Sequence, residues 1–360
     1  MRVAYLAAWR GGLASGPFKK IAGQLSAWQT QGVEVALFAT TAGHVLADWQ
    51  RLGLPGLVVA PTGGMAVKWR ERRQLVNALL QWGPDVVYER HALWTPSLGR
   101  MSRAVPTVLE VNGDDVREYT LHSRSKGLYN RLTRDANFRR AVGLVHVTHE
   151  LANLPSYRKF GLPHVVVGNG IDLDKVPHLA PTRSAVPRLV WLGDPTSPFN
   201  SLEHIVQLAE LRPAWGFDVV GPQPPAGRER MPNVVWHPPG GPDVYRPILA
   251  GADVGIGTLD AYRTGMQQAS ALKVREYLAS GLATLVGYQD TDFPEDVPHL
   301  LRIPNRRDSI SSSLPRIDRF VEHWHGRRVT RAAVAHLDVA VKEQFRLAFL
   351  RAKAGQSREP

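Results

Sequence analysis

The chain has 360 residues, no cysteine, 44% hydrophobic and 21% charged side chains, and a formal net charge of +12. That length exceeds what one hydrophobic core ordinarily supports, and the composition is globular, so two domains of ordinary size are expected and fibrous or disordered classes are excluded. The missing cysteines exclude disulfides, thiolate metal sites and a cysteine nucleophile, while the basic balance calls for an anionic partner: nucleic acid, an acidic membrane or a phosphorylated ligand.

The opening MRVAYLAAWRGG enters a glycine turn without the length or cleavage pattern of a signal peptide. No stretch approaches the roughly 18 to 20 apolar residues of a membrane span. A cytoplasmic protein is expected, with any membrane contact peripheral at the inner face. Short β-branched runs then alternate with helical stretches, the pattern of a parallel sheet covered by helices. Strands are expected at Val3–Ala7, Val33–Ala39, Asp85–Tyr88, Thr107–Val111, Gly143–Val147 and His164–Val167. Helices are expected at Phe18–Trp28, Val67–Leu80, Arg124–Arg140 and Glu150–Phe160. The polar, proline-containing HLAPTRSAVP at 178–187 reads as an interdomain linker. Strands resume at Arg188–Leu192, Phe217–Val220, Asn233–His237, Asp253–Ile256 and Ala283–Val286. The expectation is therefore an α/β chain with a first Rossmann-like domain at 1–180, a second at 181–329, and a last helix, 330–352, that crosses back to the first.

Polar residues gather where these strands end, which is where open α/β sheets bind ligands. After the first strand, Gly11, Gly12 and Gly16 permit a tight turn and Pro17 opens a helix whose N–H groups can hold an anion; a plain strand-to-helix turn explains them equally well. PDVVYERHALW places Glu89, Arg90 and His91 at one strand end, and PTVLEVNGDD places Glu110 and Asn112 at another, followed by Asp114 and Asp115. The two aspartates can act as acid and base, or cap the next helix, the reading preferred here. In GNGID, the glycines around Asn169 allow either a close ligand approach or a sharp turn. The stretch 252–287 carries strand, loop, helix and strand, and its helix sets Lys273 and Glu276 three residues apart on one face. Such a face can offer a cation to a diphosphate and a carboxylate to ribose hydroxyls, or it is an ordinary ion pair. MAVKWRERRQLVNALLQW, at 65–82, is basic and carries Trp69 and Trp82, as suits an anionic membrane or a lipid-linked phosphate, and equally a solvated helix face; Lys19 and Lys20 are expected to extend that basic surface.

Taken together, YERHALW, LEVNGDD, VVVGNGIDLDKV and SALKVREYLASGLATLV resemble, in order, the YERYSLF, LEVNAP, NG(V/I)D and SPxKxxEYxAxGxPVV segments of bacterial family 4 glycosyltransferases of the GT-B fold. The likeness covers about residues 1–300 and implies two Rossmann-like doubly wound domains facing across a cleft. It implies a donor site of Gly12, Gly193, Gly221, Leu272, Lys273 and Glu276, with Glu276 as the second, ribose-binding glutamate of the family's Glu-x7-Glu motif. The first falls at Gln268 and so is not present here, as it often is not in members with the lysine-containing helix. The diphosphate-neutralising Arg and Lys of many relatives fall near Asp194 and Phe199–Asn200, so Lys273 and Arg263 are the expected replacements. Glu89, Arg90, His91, Glu110 and Asn112 become acceptor-side residues, Asn112 standing where many relatives have histidine.

The implied reaction transfers a sugar, with retention, from a UDP- or GDP-linked donor to a hydroxyl of a carbohydrate, lipid-linked or small-molecule acceptor, in polysaccharide, glycolipid or glycoconjugate synthesis. Charge stabilisation and positioning carry it, with no protein nucleophile, no metal and no other cofactor. DTD at 290–292 matches a metal-binding carboxylate motif of the other large glycosyltransferase fold, but is discounted here by its position. The missing cations leave a catalytically weak, sugar-nucleotide-binding relative as the alternative. Nucleic acid explains the charge but none of the motifs, and is not expected as a partner.

Overall fold

Seven apolar runs of the first part of the chain become strands: β1 (Arg2–Ala8), β2 (Glu34–Thr40), β3 (Gly56–Val59), β4 (Val86–Arg90), β5 (Thr107–Val111), β6 (Gly143–His146) and β7 (His164–Val166). All pair in parallel, in the order β3-β2-β1-β4-β5-β6-β7. A parallel sheet is covered on both faces, so its strands are nearly continuous apolar runs. Val3, Ala4, Tyr5 and Leu6 of β1 are accordingly all fully buried. Tyr5, Trp28, Leu37 and Tyr88 form the core on one face, and Leu6, Phe38, Leu75 and Leu98 that on the other.

The second part repeats the scheme with β8 (Arg188–Leu192), β9 (Gly216–Val220), β10 (Val234–His237), β11 (Val254–Ile256), β12 (Gln268–Ala269), β13 (Ala283–Val286), β14 (Gln289–Asp290) and β15 (Leu300–Arg302). Six of them make a sheet ordered β10-β9-β8-β11-β13-β15, while β12 and β14 pair separately. Its core contains Trp191, Ile205, Leu208, Phe217, Ile256, Leu285 and Ile317. Each sheet reverses its winding once, between β1 and β4 and between β8 and β11. Loops leaving neighbouring strands in opposite directions open a crevice there, at the carboxyl ends.

This is a computed structural model of the whole chain, in which residues 1–9, 12, 15–51, 54–60, 62–194 and 201–356 are described. Gly11, Phe199 and Asn200 lie outside them. Two compact units result, one of residues 1–168 with the chain from Val339 onward, the other Asn169–Asp338. The divisions thus fall at 168 and 339, where the sequence suggested 180 and 330. Hydrogen bonds explain the shift: Ile171 N donates to Leu337 O (3.0 Å) and Leu179 N to Ser280 O (3.1 Å), so the supposed linker belongs to the second unit. Val334 and Leu337 of the 3-10 turn Arg331–Leu337 are buried in the same core. The helix expected at Glu150–Phe160 breaks into His149–Asn153 and Pro155–Arg158, because Pro155 has no N–H to continue the ladder.

The final helix, Val339–Lys353, lies on the first unit. Leu347 and Leu350 are fully buried in its core, and Trp28 Nε1 donates to Glu343 Oε2 at 2.7 Å. Glu343 also pairs with Arg346, and both are 1% exposed. Leu347→Ala is expected to cost about 2–5 kcal/mol of unfolding free energy, read as a lowered urea midpoint with an unchanged slope.

Candidate functional site

In the second unit, the end of β8 builds a cation seat. Gly193 N donates to Val220 O at 2.9 Å, and a Cβ on Gly193 would lie 2.1 Å from the Trp191 ring, so only glycine lets the indole pass. The ammonium of Lys273 rests over that ring, 4.4 Å from its centroid, a cation–π contact. Burial pushes the Lys273 pKa down to about 8, against the opposing fields of Asp260 and Asp194. Among the described residues no carboxylate lies within ion-pair distance of it. The lysine thus stands charged, beside the β8 end of the crevice, without a committed counter-ion.

Leu272 opens the helix Leu272–Ala279, and Glu276 follows Lys273 by one turn. Glu276 is 9% exposed and its Oε1 has no hydrogen-bond partner among the described residues. Arg246 Nε lies 3.8 Å from that oxygen and the Tyr245 hydroxyl bonds to the carboxylate. Lys273 and Glu276 do not pair with each other, so they are not the ordinary ion pair that their spacing allows. Arg263, on the turn Ala261–Thr264, is held by Glu203 at 2.7 Å and lies 3.8 Å from Asp260, which leaves it less free to meet a ligand than the sequence suggested. Gln268 lies in β12, opposite Gln289 of β14. Gly221 follows β9 directly, with φ +113°, a backbone that favours glycine, and its N–H donates to His237 O at 3.0 Å.

Arg275, invisible as a site residue in the sequence, fixes this helix. It is fully buried, and burial alone would lower its pKa, but Asp290 and Asp292 raise it above the ordinary value. Its guanidinium donates to Asp290 (2.9 and 2.7 Å), to Asp292 (2.7 Å), to Ser270 Oγ (2.8 Å) and to the Asn169 carbonyl (2.9 Å). Asn169 N in turn donates to Ser270 Oγ at 2.7 Å. The DTD carboxylates therefore hold an arginine, and the GNGI turn is a clamp point of the fold.

In the first unit, Gly12 is exposed and its carbonyl accepts from Ser15 N at 3.0 Å. Glu89, Arg90 and His91 stand at the end of β4, and Glu110 and Asn112 at the end of β5. Lys20 is buried, not part of a basic surface: its ammonium lies 2.7 Å from both Glu110 Oε1 and Asn112 Oδ1. Burial works against the Glu110 carboxylate, yet Lys20 and Arg90 hold its pKa well below the usual range. Glu89 is fully buried with neither carboxylate oxygen hydrogen-bonded among the described residues, and burial raises its pKa. His91 N donates to Glu110 O at 3.0 Å, and its ring lies 3.3 Å from Asn137 Nδ2 and 3.6 Å from Asp115.

The two aspartates of NGDD differ. Asp114 caps the helix Asp115–His122, accepting from Val116 N (3.1 Å) and Arg117 N (3.4 Å). Asp115 is no cap: it is buried, taking two bonds from Arg134 (2.9 and 2.8 Å) and one each from Asn130 (2.6 Å) and Tyr157 (2.7 Å). Burial opposes its charge, but His91 and Arg134 keep its pKa low. Trp191, Arg275 and Arg134 were missed from the sequence. Trp191 alone left a trace there, standing two residues before Gly193 and so on the same strand face.

Two parallel, once-reversed sheets with polar strand ends define the class. Residues 21–175 match the model described as Glycosyltransferase Family 4. The fold is similar to that of Anabaena Alr3699/HepE in complex with UDP and glucose, with a TM-score of 0.65 and 15% identity over 97% of this chain and 99% of that one. It is also similar to the lipopolysaccharide outer core galactosyltransferase WaaB, with a TM-score of 0.65 and 10% identity over 98% of this chain and 100% of that one. A third likeness is to an alpha-glucosyltransferase in complex with UDP-glucose and DNA containing an abasic site, at a TM-score of 0.58 and 13% identity over 98% and 95% of the two chains. No curated protein matches the sequence. The chain has the GT-B fold.

Arg275→Met leaves Asp290 and Asp292 without their cation and is expected to destabilise the second unit by about 3–5 kcal/mol. Chemical denaturation reads this, and Arg275→Lys is expected to recover little of it, since an ammonium cannot reproduce the guanidinium fork.

Proposed function

We propose that the enzyme transfers a sugar from a nucleoside diphosphate donor to an acceptor hydroxyl with retention of anomeric configuration, and that Lys273 supplies the positive charge for the departing diphosphate. The single observation that carries this reading is the Lys273 ammonium, seated on Trp191 beside the strand-order reversal. A leaving diphosphate needs electrostatic stabilisation, and a preorganised cation in a partly dry site gives more of it than one in water. Glu276, whose Oε1 takes no hydrogen bond among the described residues and has Arg246 at 3.8 Å, is suited to the ribose hydroxyls as a pure acceptor. UDP is the favoured nucleotide because the HepE structure holds UDP and the alpha-glucosyltransferase holds UDP-glucose. The donor's own phosphate takes the acceptor proton on the face it leaves, so the chain needs no nucleophile, and protein cations take the place of a metal. A carbohydrate or lipid-linked acceptor, in polysaccharide, glycolipid or glycoconjugate synthesis, fits the buried polar strand ends of β4 and β5.

A thermal-shift series with UDP, GDP and their sugars, with and without EDTA, tests this reading. A UDP-dependent rise in Tm that survives EDTA and is lost in Glu276→Ala is expected, because a ligand bound only to the folded state stabilises it. Binding without turnover would instead assign the chain to the catalytically weak relatives. Lys273→Ala is expected to lower kcat/KM by about 10²–10³-fold.

The pH dependence has a definite sign. With a pKa lowered to about 8, Lys273 loses its charge earlier than an ordinary lysine as pH rises. Donor affinity is therefore expected to stay level below that pH and fall above it. Lys273→Arg, whose guanidinium does not titrate in this range, is expected to abolish the fall even if it binds the donor less well overall. Titration of UDP binding against pH by calorimetry checks both.

A further inference from the structure

The helical hairpin Asp115–His122 and Arg124–Phe138 packs inside out. Its buried face is polar: Asn130, Arg134 and Asn137 point inward, where Asp115 takes bonds from Asn130 and Arg134, and Asn137 lies against His91. The helices approach so closely that a Cβ on Gly127 would meet Thr120 Oγ1 at 2.7 Å and its Cα at 2.9 Å. The leucines are left outside. Leu121 is 59% exposed, Leu128 61% and Leu132 76%, and the i, i+4 spacing of the last two stacks them on one helix face. An ordinary surface helix has the opposite arrangement, apolar stripe inward and charges outward.

Around these leucines stand exposed basic residues: Arg117 on the first helix, 3.8 Å from Asp114, Arg124, Lys126 and Arg131 on the second, and Arg139 just past its end, 3.8 Å from Asp135. Glu118 is the exposed acid of the hairpin, while Asp135 is partly covered and paired with Lys159 at 2.8 Å. The neighbouring helix Met65–Trp82 continues the pattern with Trp69, 43% exposed, beside exposed Lys68, Arg70 and Arg73. Arg72, one turn from Trp69, lies within electrostatic reach of Tyr119 and Tyr129 of the hairpin.

We propose that the outer face of the hairpin Asp115–Phe138 docks on an anionic lipid surface, with Leu121, Leu128 and Leu132 entering the acyl boundary and the surrounding arginines and lysine meeting the headgroups. Apolar side chains in a basic collar are the composition of an interfacial helix, whose binding adds buried apolar area to attraction for anionic lipid. Charge complementarity selects this occupant. A second copy of the chain would set the same basic collar against itself, and like charges face to face oppose such a dimer. This surface is distinct from the residues given to donor and acceptor, and stands whether or not the donor reading holds.

Co-sedimentation of the full chain with phosphatidylcholine vesicles, with and without phosphatidylglycerol, is the test. Binding only to vesicles containing phosphatidylglycerol, weakened by salt, is expected. The double variant Leu128→Glu, Leu132→Glu is expected to lower the partition coefficient by about tenfold or more. The triple variant Arg124→Ala, Lys126→Ala, Arg131→Ala is expected to remove the preference for phosphatidylglycerol. All these positions are exposed, so melting curves and UDP binding are expected to stay as in the parent. Leu132→Gln, at the most exposed leucine, is the milder replacement if the double variant does not fold. No binding to phosphatidylglycerol vesicles, or equal binding by the leucine variants, overturns the proposal. So does a concentration-dependent dimer in sedimentation velocity that the leucine variants dissociate, since the face would then belong to a second copy.

Discussion

A fully buried guanidinium is tolerable only when its charge and its donors are matched, and Arg275 meets that condition through two aspartates, a serine and a main-chain carbonyl. The partners come from the GNGI turn, from the approach to the helix Leu272–Ala279, and from β14 and the residues just after it. One ion cluster therefore fixes the azimuth of that helix. Because Arg275 faces inward, Lys273 is delivered to Trp191 and Glu276 to Tyr245 and Arg246. The proposed donor chemistry inherits its precision from a residue that touches none of the reacting groups.

The first unit uses the same device twice. Lys20 with Glu110, and Arg134 with Asp115, neutralise carboxylates that burial would otherwise discharge. The first pair lies at the end of β5 and the second just past it, with Asp115 3.6 Å from His91 at the end of β4, so these polar ends are held by internal charge. Glu89 is the contrast: the field of Arg72 does not offset its burial, and its pKa is raised. The crevice edge thus holds two carboxyls on adjacent strands whose pKa values are pushed in opposite directions, a difference of environment and not of residue type.

Much of the fold was legible because parallel strands buried on both faces are continuous apolar runs, and β1, β5, β8 and β13 were located within a residue or so. β3 escaped because Gly-Leu-Val-Val is too short to separate from a loop, and the helix Pro96–Ala104 because PSLGRMSRA is short and has only Leu98 and Met101 as large apolar residues. Within the site, local spacing gave Lys273 and Glu276, while partners distant in the chain stayed hidden. Nothing in the order of residues ties Asp115 to Arg134 or Lys20 to Glu110, and Asp114 and Asp115 look alike until one is seen to be buried. The linker was misread for a related reason, since proline and polar side chains mark a loop without saying which core that loop is bonded to.

The closing of the chain by Val339–Lys353 has a consequence for biosynthesis. The first unit's core is incomplete until Leu347 and Leu350 are made, although its sheet ends at Val166. The second unit, Asn169–Asp338, is an uninterrupted stretch that emerges in between and brings its own core with it. A nascent chain stalled after residue 338 would carry a finished second unit beside a first one with an open apolar face, so the later-made half is the earlier to mature.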